Sequence, residues 1–188
     1  MRQTIEKIFN RQLAKIKNPE LRKKVVDIWA DAAKEGGWKP RELTEIPFTL
    51  LTNTRGINLM EHTIAVTDGA LGLAQAMKRN YSEMPFEIDL DWLVAGGLLH
   101  DVGKLLEFEK SKEGTFKKSL KGKCARHPIS GAILVARAGL PDEIVNIVAC
   151  HAKEGEGRPQ RVETVLIHQA DYATFDPMVM LEKGLLIV

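Results

Sequence analysis

Five histidines lie along the chain, at positions 62, 100, 127, 151 and 168, and one of them sits in an unusual setting. The stretch GGLLHDVGKLL, residues 96–106, places His100, Asp101 and Lys104 within about a turn of one another in an otherwise apolar run. Such a run is buried on its hydrophobic side, and a buried ionisable group is costly unless it is paired or bound to a metal. His100 and Asp101 therefore require partners. A single histidine on a helix is ordinarily a core or surface residue. The set reads differently, because His100, His127 and His151 recur at comparable intervals, each on or at the start of a different expected helix, as ligands converging from several helices do. Imidazole and carboxylate together suit first-row divalent ions such as Zn, Mn or Fe, and a carboxylate bridges two of them. Adjacent helical residues point about 100° apart, so His100 and Asp101 address one ion from two directions or two ions at once. Asp101 is the natural bridge.

Helices must position these groups, since apolar residues recur at spacings of three and four and strand alternation is nearly absent. Two helices are expected between Ile5 and Ala33, broken at Asn18-Pro19, where Pro19 suits a helix start. Gly36, Gly37, Pro40 and Pro47 punctuate a loop running to about Asn58. A helix carrying His62 continues from there to about Lys78. Asp89 or Asp91 caps a further helix whose apolar body, Trp92 to Leu106, contains the HD pair. The lysine-rich stretch from Glu109 to Lys123 reads as an exposed loop. Three more helical segments follow: Pro128 to Ala138, Pro141 to His151 and Val162 to Thr174. The expectation is an all-α fold, a bundle of about six or seven helices with a metal site in its core. It forms one domain over residues 1–188, with 1–45 as a helical extension or cap and 58–175 as the metal-binding core.

Bulk properties narrow the function. A formal charge of +2 over 188 residues argues against a large nucleic-acid footprint, while leaving room for a local basic patch that meets a phosphate. Two cysteines in a chain of this length do not make a disulfide framework and are read as reduced. No segment approaches the roughly 20 apolar residues of a membrane helix, and the first residues lack the continuous apolar stretch of a secretion signal. A soluble, cytoplasmic protein is expected. The apolar tail LEKGLLIV is expected to pack on the domain or on a partner subunit, and a homodimer is one use for it.

The order His62, His100-Asp101, Asp171 resembles the H…HD…D signature of the HD-domain superfamily of metal-dependent phosphohydrolases, an all-α fold, and HDVGK is a form its central motif often takes. The resemblance covers roughly residues 58–175. His127 in ARHPISGAI and His151 in VACHAKEGEG resemble the additional ligands of the two-metal branch, H…HD…H…H…D. It implies that His62, His100, Asp101 and Asp171 hold one metal and that Asp101 bridges to a second held also by His127 and His151. It further implies two divalent transition-metal ions (Fe, Mn, Zn or Co) and a metal-activated water that attacks a phosphate monoester or phosphodiester, nucleotide-like or otherwise small. In the branch marked by HHE and GYP, a second histidine and a tyrosine would follow, whereas here His151-Ala152-Lys153-Glu154 precedes Gly155 to Pro159. That departure argues against cyclic di-GMP as substrate and against a third metal. Mixed-valent di-iron oxygenases, which cleave C–C or C–P bonds, resemble the chain in the same ligand order and are the alternative reading.

Lys104 lies four residues after His100 and is assigned a catalytic role beside Asp101, with its ammonium over the same site. The alternative is a lysine snorkelling at a helix end. Of the basic residues Arg55, Lys123, Arg126, Lys153, Arg158 and Arg161, the expected substrate contacts are Arg126, beside His127, and Lys153, two past His151, together with Lys104. They tilt the reading toward a small phosphorylated molecule. His168 shares a helical face with Asp171 but is left outside the ligand set, as an orienting or packing residue. A structural zinc site of Cys124, His127, Cys150 and His151 is the rival reading; its spacing is irregular and it leaves the HD pair unexplained.

Overall fold

Polar caps start the main helices. The Asn18 side chain accepts from the Glu20 and Leu21 amides, with Pro19 at the first helical position, and opens the 17-residue helix Pro19–Glu35. Asn58 accepts from the Met60 and Glu61 amides while the Glu61 carboxylate returns to the Asn58 N–H, a capping box that opens Leu59–Asn80. Asp89 caps Leu90–Leu99 through the Trp92 amide.

The computed structural model describes residues 1–155 and 161–187. Arg158, one of the basic residues expected near the site, and the segment that replaces GYP from 156 onward lie outside the described residues. The helices run α1 (Arg2–Ile8), α2 (Asn10–Leu13), α3 (Pro19–Glu35), α4 (Leu59–Asn80), α5 (Leu90–Leu99), α6 (Lys104–Glu107), α7 (Leu120–Cys124), α8 (His127–Arg137), α9 (Asp142–Cys150) and α10 (Val162–Glu182). Six of these, among the described residues, have nine residues or more, and the fold is all-α apart from one small hairpin.

Helix α5 is apolar on every side and sits in the middle, as such a helix must. It packs against α3, α4, α9 and α10, and Leu93 to Leu99 are buried. Gly96 and Gly97 allow this closeness: a Cβ at Gly96 would stand 2.6 Å from the Ile147 side chain on α9, and one at Gly97 would stand 3.1 Å from the Thr67 Cα on α4. The two helices that deliver His151 and His62 are thereby drawn onto the helix that delivers His100. The N-terminal helices fasten to the same region. Phe9 and Trp29 pack ring against ring, the Trp29 indole donates to the Leu98 carbonyl (2.8 Å), and Trp38 donates to the Leu105 carbonyl (2.7 Å). The two indoles bracket the HD pair.

Three sequence expectations need correction, and a fourth, for the apolar tail, is narrowed. The helix expected from Trp92 to Leu106 is broken: α5 ends at Leu99, residues 100–103 form tight turns, and α6 restarts at Lys104. The cause is local. His100 turns its ring back to the Gly97 carbonyl, Val102 and Lys104 amides bond three residues back, and the α8 backbone presses on Gly103, where a Cβ would lie 2.2 Å from the His127 carbonyl oxygen. The stretch from Glu109 to Lys123 is not a plain loop. It holds the antiparallel strands β1 (Phe108–Lys110) and β2 (Phe116–Lys118), in register Phe108↔Lys118, and then α7. Helix α10 continues past Thr174 to Glu182. In the apolar tail, Leu185 and Ile187 are exposed rather than packed on the domain. No helix among the described residues is long and apolar enough to cross a membrane.

Candidate metal centre

Asp101 occupies the middle of a ring of imidazoles. Its Oδ2 lies 3.4 Å from His62 Nε2 and 3.4 Å from His100 Nε2; its Oδ1 lies 3.3 Å from His127 Nε2 and 3.7 Å from His151 Nε2. Each carboxylate oxygen thus faces its own pair of histidines. Asp171 adds a second carboxylate on one side, its Oδ1 3.0 Å from His62 Nε2. Asp101 lies in the tight turn between α5 and α6, directly after His100, and the Lys104 N–H bonds back to its carbonyl.

The outer nitrogens are anchored, which leaves the inner ones facing the centre. His100 Nδ1 bonds the Gly97 carbonyl (2.6 Å), His151 Nδ1 the Val148 carbonyl (2.8 Å) and His127 Nδ1 the Glu107 carboxylate (2.9 Å), while Thr174 Oγ1 lies 3.4 Å from His62 Nδ1. An Nδ1–H donated outward fixes the tautomer whose Nε2 carries a lone pair inward, the usual arrangement of a ligating histidine. His62, His100 and His151 Nε2, together with Asp101 Oδ1, are buried with no hydrogen-bond partner. Orphaned inward-facing lone pairs are what a cation satisfies. Three groups of donor atoms lie within 4.8 Å of one another: His62, His100 and Asp101; His100, His151 and Asp171; and Asp101, His127 and His151. These nitrogen and oxygen donors fit a divalent transition-metal ion.

Charge is organised around the same centre. Burial alone would raise the Asp101 carboxyl, but the Lys104 ammonium and the neighbouring histidines hold it well below the usual range. Burial opposes ionisation of Asp171 too, and contact with His62 keeps it below its ordinary value. Burial works against a charged His62 while Asp101 and Asp171 outweigh it, so its pKa is raised; at His127 burial wins over Glu107 and the pKa falls. Glu107 is pushed down to about 2, burial being overcome by its bonds to His127 and the nearby Arg126.

Lys104 is no snorkelling residue. It is buried, and its Nζ donates to Asp101 Oδ2 and to the Phe48 carbonyl, both at 2.6 Å. A cavity of about 270 Å³ opens beside the cluster, lined by His62, His127 and Asp171, by the aromatic side chains Phe48, Phe108, Tyr172 and Phe175, and by Lys104, Lys118, Arg126 and Lys153. Arg126 and Lys153 line the cavity, whereas Arg55, Lys123 and Arg161 do not; Arg161 pairs with Glu163 and lies over Trp92. His168 donates to the His151 carbonyl at 2.7 Å and, among the described residues, enters no donor group. Among the described residues neither cysteine joins a donor group, and Cys124 is exposed, which removes the rival zinc reading.

Sequence reasoning missed Glu107, whose acid in an apolar run is the same signal that flags Asp101, and Phe48, whose ring stacks on His62 with centroids 4.5 Å apart. Nothing in the sequence announces Phe48, because it comes from a loop distant along the chain.

The HD-domain family model matches residues 59–176, and the chain belongs to that family. Among curated proteins it is similar to the dihydroneopterin 2',3'-cyclic phosphate phosphodiesterase of Methanocaldococcus jannaschii, at 32% identity over 163 residues, covering 84% of this chain and 64% of that protein. It is also similar to ribonuclease Y of Pseudothermotoga lettingae (33%) and of Thermotoga maritima (31%), each over 116 residues that cover 62% of this chain and 18% of the relative. The chain thus spans a little under two thirds of the phosphodiesterase and less than a fifth of the ribonucleases. No solved structure matches.

Proposed function

We propose that the chain hydrolyses a small phosphate ester or phosphodiester at two divalent transition-metal ions. His62, His100 and Asp171 would hold one, His127 and His151 the other, and Asp101 would bridge them. The observation that carries the reading is the Asp101 carboxylate, whose two oxygens each meet a separate pair of inward-facing imidazoles. Such ions, when bound, lower the pKa of a water to make a nucleophile and neutralise charge on the phosphoryl oxygens.

The protein groups do the rest. Asp101 sets the spacing of the two halves of the site. Lys104, pinned between Asp101 and the Phe48 carbonyl at the cavity wall, keeps that carboxylate ionised and brings a cation to the side where the phosphoryl group must sit. Arg126 and Lys153 line the same cavity and meet the non-bridging oxygens. Phe48, Tyr172 and Phe175 give an apolar wall for the organic part, and the volume of about 270 Å³ supports a small substrate. Two sets of relatives are named for phosphodiester cleavage, which favours phosphate chemistry over the oxygenase reading. Residues 1–45 we read as a cap that braces the HD turn through Trp29 and Trp38.

Protein loaded separately with Mn(II), Fe(II), Co(II) and Zn(II) should be screened against phosphomonoesters, nucleotides and 2',3'-cyclic phosphodiesters. Release of a phosphomonoester from a cyclic substrate is expected. Turnover that needs dioxygen, or no hydrolysis with any metal and substrate, would overturn the proposal.

A further inference from the structure

Glu107 belongs to no part of the motif, yet its two oxygens serve different halves of the site. Oε2 accepts from the His127 amide (2.6 Å) and lies 2.9 Å from His127 Nδ1; Oε1 accepts from Arg126 Nε (2.9 Å) and lies 3.7 Å from Lys118 Nζ. The side chain is buried, with 2% of its surface exposed, although both Arg126 and Lys118 reach the cavity. Its conformation is held from behind. The Ser119 amide donates to the Glu107 carbonyl (2.8 Å), and α7 passes so near that a Cβ at Gly122 would stand 2.4 Å from that carbonyl oxygen and 2.7 Å from the Glu107 Cγ. Only glycine fits there.

We propose that Glu107 is the positioning residue that couples the second metal half-site to the substrate-facing cations. One oxygen orients the His127 imidazole, with Nε2 toward Asp101, and the other holds Arg126 and Lys118 at the cavity wall at a fixed reach from that imidazole. A carboxylate that fixes the outer nitrogen of a ligating histidine controls ring orientation and basicity, and losing it weakens metal affinity roughly 10- to 100-fold. A guanidinium bonded through Nε to a buried carboxylate is held in one orientation relative to it, and so is the charge it presents to an oxyanion. Glu107 thus sets the distance between His127 and the cations that meet the phosphate. This role rests on the hydrolytic reading for its second half alone; the first concerns His127 and metal affinity.

The test pairs Glu107→Gln with Arg126→Gln in the full chain, starting from metal-free protein. Co(II) titration followed by visible absorption reads the two half-sites as two binding steps. In Glu107→Gln one of the two steps should lose roughly 10- to 100-fold in affinity while the other stays, and inorganic phosphate should bind the Co-loaded protein more weakly. Arg126→Gln should leave both Co(II) steps unchanged and weaken phosphate alone, and adding it to Glu107→Gln should weaken phosphate by less than the product of the single effects. Glu107→Asp, which keeps the charge, should restore part of the metal affinity, and it carries the test if the glutamine variant fails to fold. Unchanged Co(II) affinity in both Glu107 variants, or fully multiplicative phosphate effects, would overturn the proposal. A protein with the expected metal pattern that hydrolyses nothing would instead defeat the hydrolase reading and leave the role of Glu107 toward His127 standing.

Discussion

Lys104 offers a test in which stability and metal binding move in opposite directions. In Lys104→Met the side chain keeps its length and loses its charge, so Asp101 Oδ2 and the Phe48 carbonyl both lose a donor at 2.6 Å in a buried setting. Removing one partner of a buried pair destabilises by about 3–5 kcal/mol, because the other charge stays behind uncompensated. For a chain of this size each kcal/mol lowers Tm by roughly 2–4 °C, so the metal-free variant should melt on the order of 10 °C below the metal-free wild type. Bound cations supply the missing compensation at Asp101, so the deficit shrinks when metal is present. Linkage then requires that metal stabilise the variant more than the wild type. The assay is thermal unfolding of both proteins in chelator and in saturating Mn(II), followed by metal analysis and a hydrolysis assay. The expected result is a larger metal-induced rise in Tm for Lys104→Met, full metal content, and activity reduced by roughly 10²-fold through loss of a preorganised cation. If metal raised Tm equally or less in the variant, the opposition between Lys104 and the cations at Asp101 would be wrong.

Three further outcomes follow from the same geometry. Asp101→Ala removes the group shared by both halves of the site, and elemental analysis should show loss of both ions with activity down by about 10³-fold or more; retained activity would contradict a bridging role. Glu107 is depressed from 4.5 to about 2 in the folded state, so it contributes stability that is fully present above about pH 4.5 and lost as pH falls toward 2, about 3 kcal/mol in all. Urea midpoints of chelated wild type and Glu107→Gln should therefore differ most at pH 7, with the gap roughly halved by pH 3 and nearly closed at pH 2, and a gap that stays constant would refute this origin. Trp29→Phe leaves the buried Leu98 carbonyl without its 2.8 Å donor and should lower stability in urea by about 1–3 kcal/mol, with a weaker hold on metal because Leu98 lies two residues before His100.

The helices around the site were legible because caps and periodicity are local. Asn18, Asn58 and Asp89 stand where the helices begin, and Pro128 and Pro141 mark α8 and α9. The histidines and the HD pair were legible because imidazole and carboxyl groups in apolar runs demand partners. The break after Leu99 was not, since it depends on α8 pressing against Gly103, a contact between segments far apart along the chain. The hairpin from Phe108 to Lys118 hid behind its lysines, whose periodicity is polar on both faces. Glu107 carried a signal in sequence, an acid within LLEF, but its partners Arg126 and His127 come from the start of α8 and only the tertiary fold brings them to it.

The central claim is that one buried carboxylate, flanked by four imidazoles, links two cations in this chain. Its most direct test is the spin state of protein loaded with Mn(II) and freed of excess metal, read by electron paramagnetic resonance beside elemental analysis. Two ions per chain with the signature of an exchange-coupled pair are expected. A single isolated Mn(II) per chain, or a protein that retains none, would contradict it.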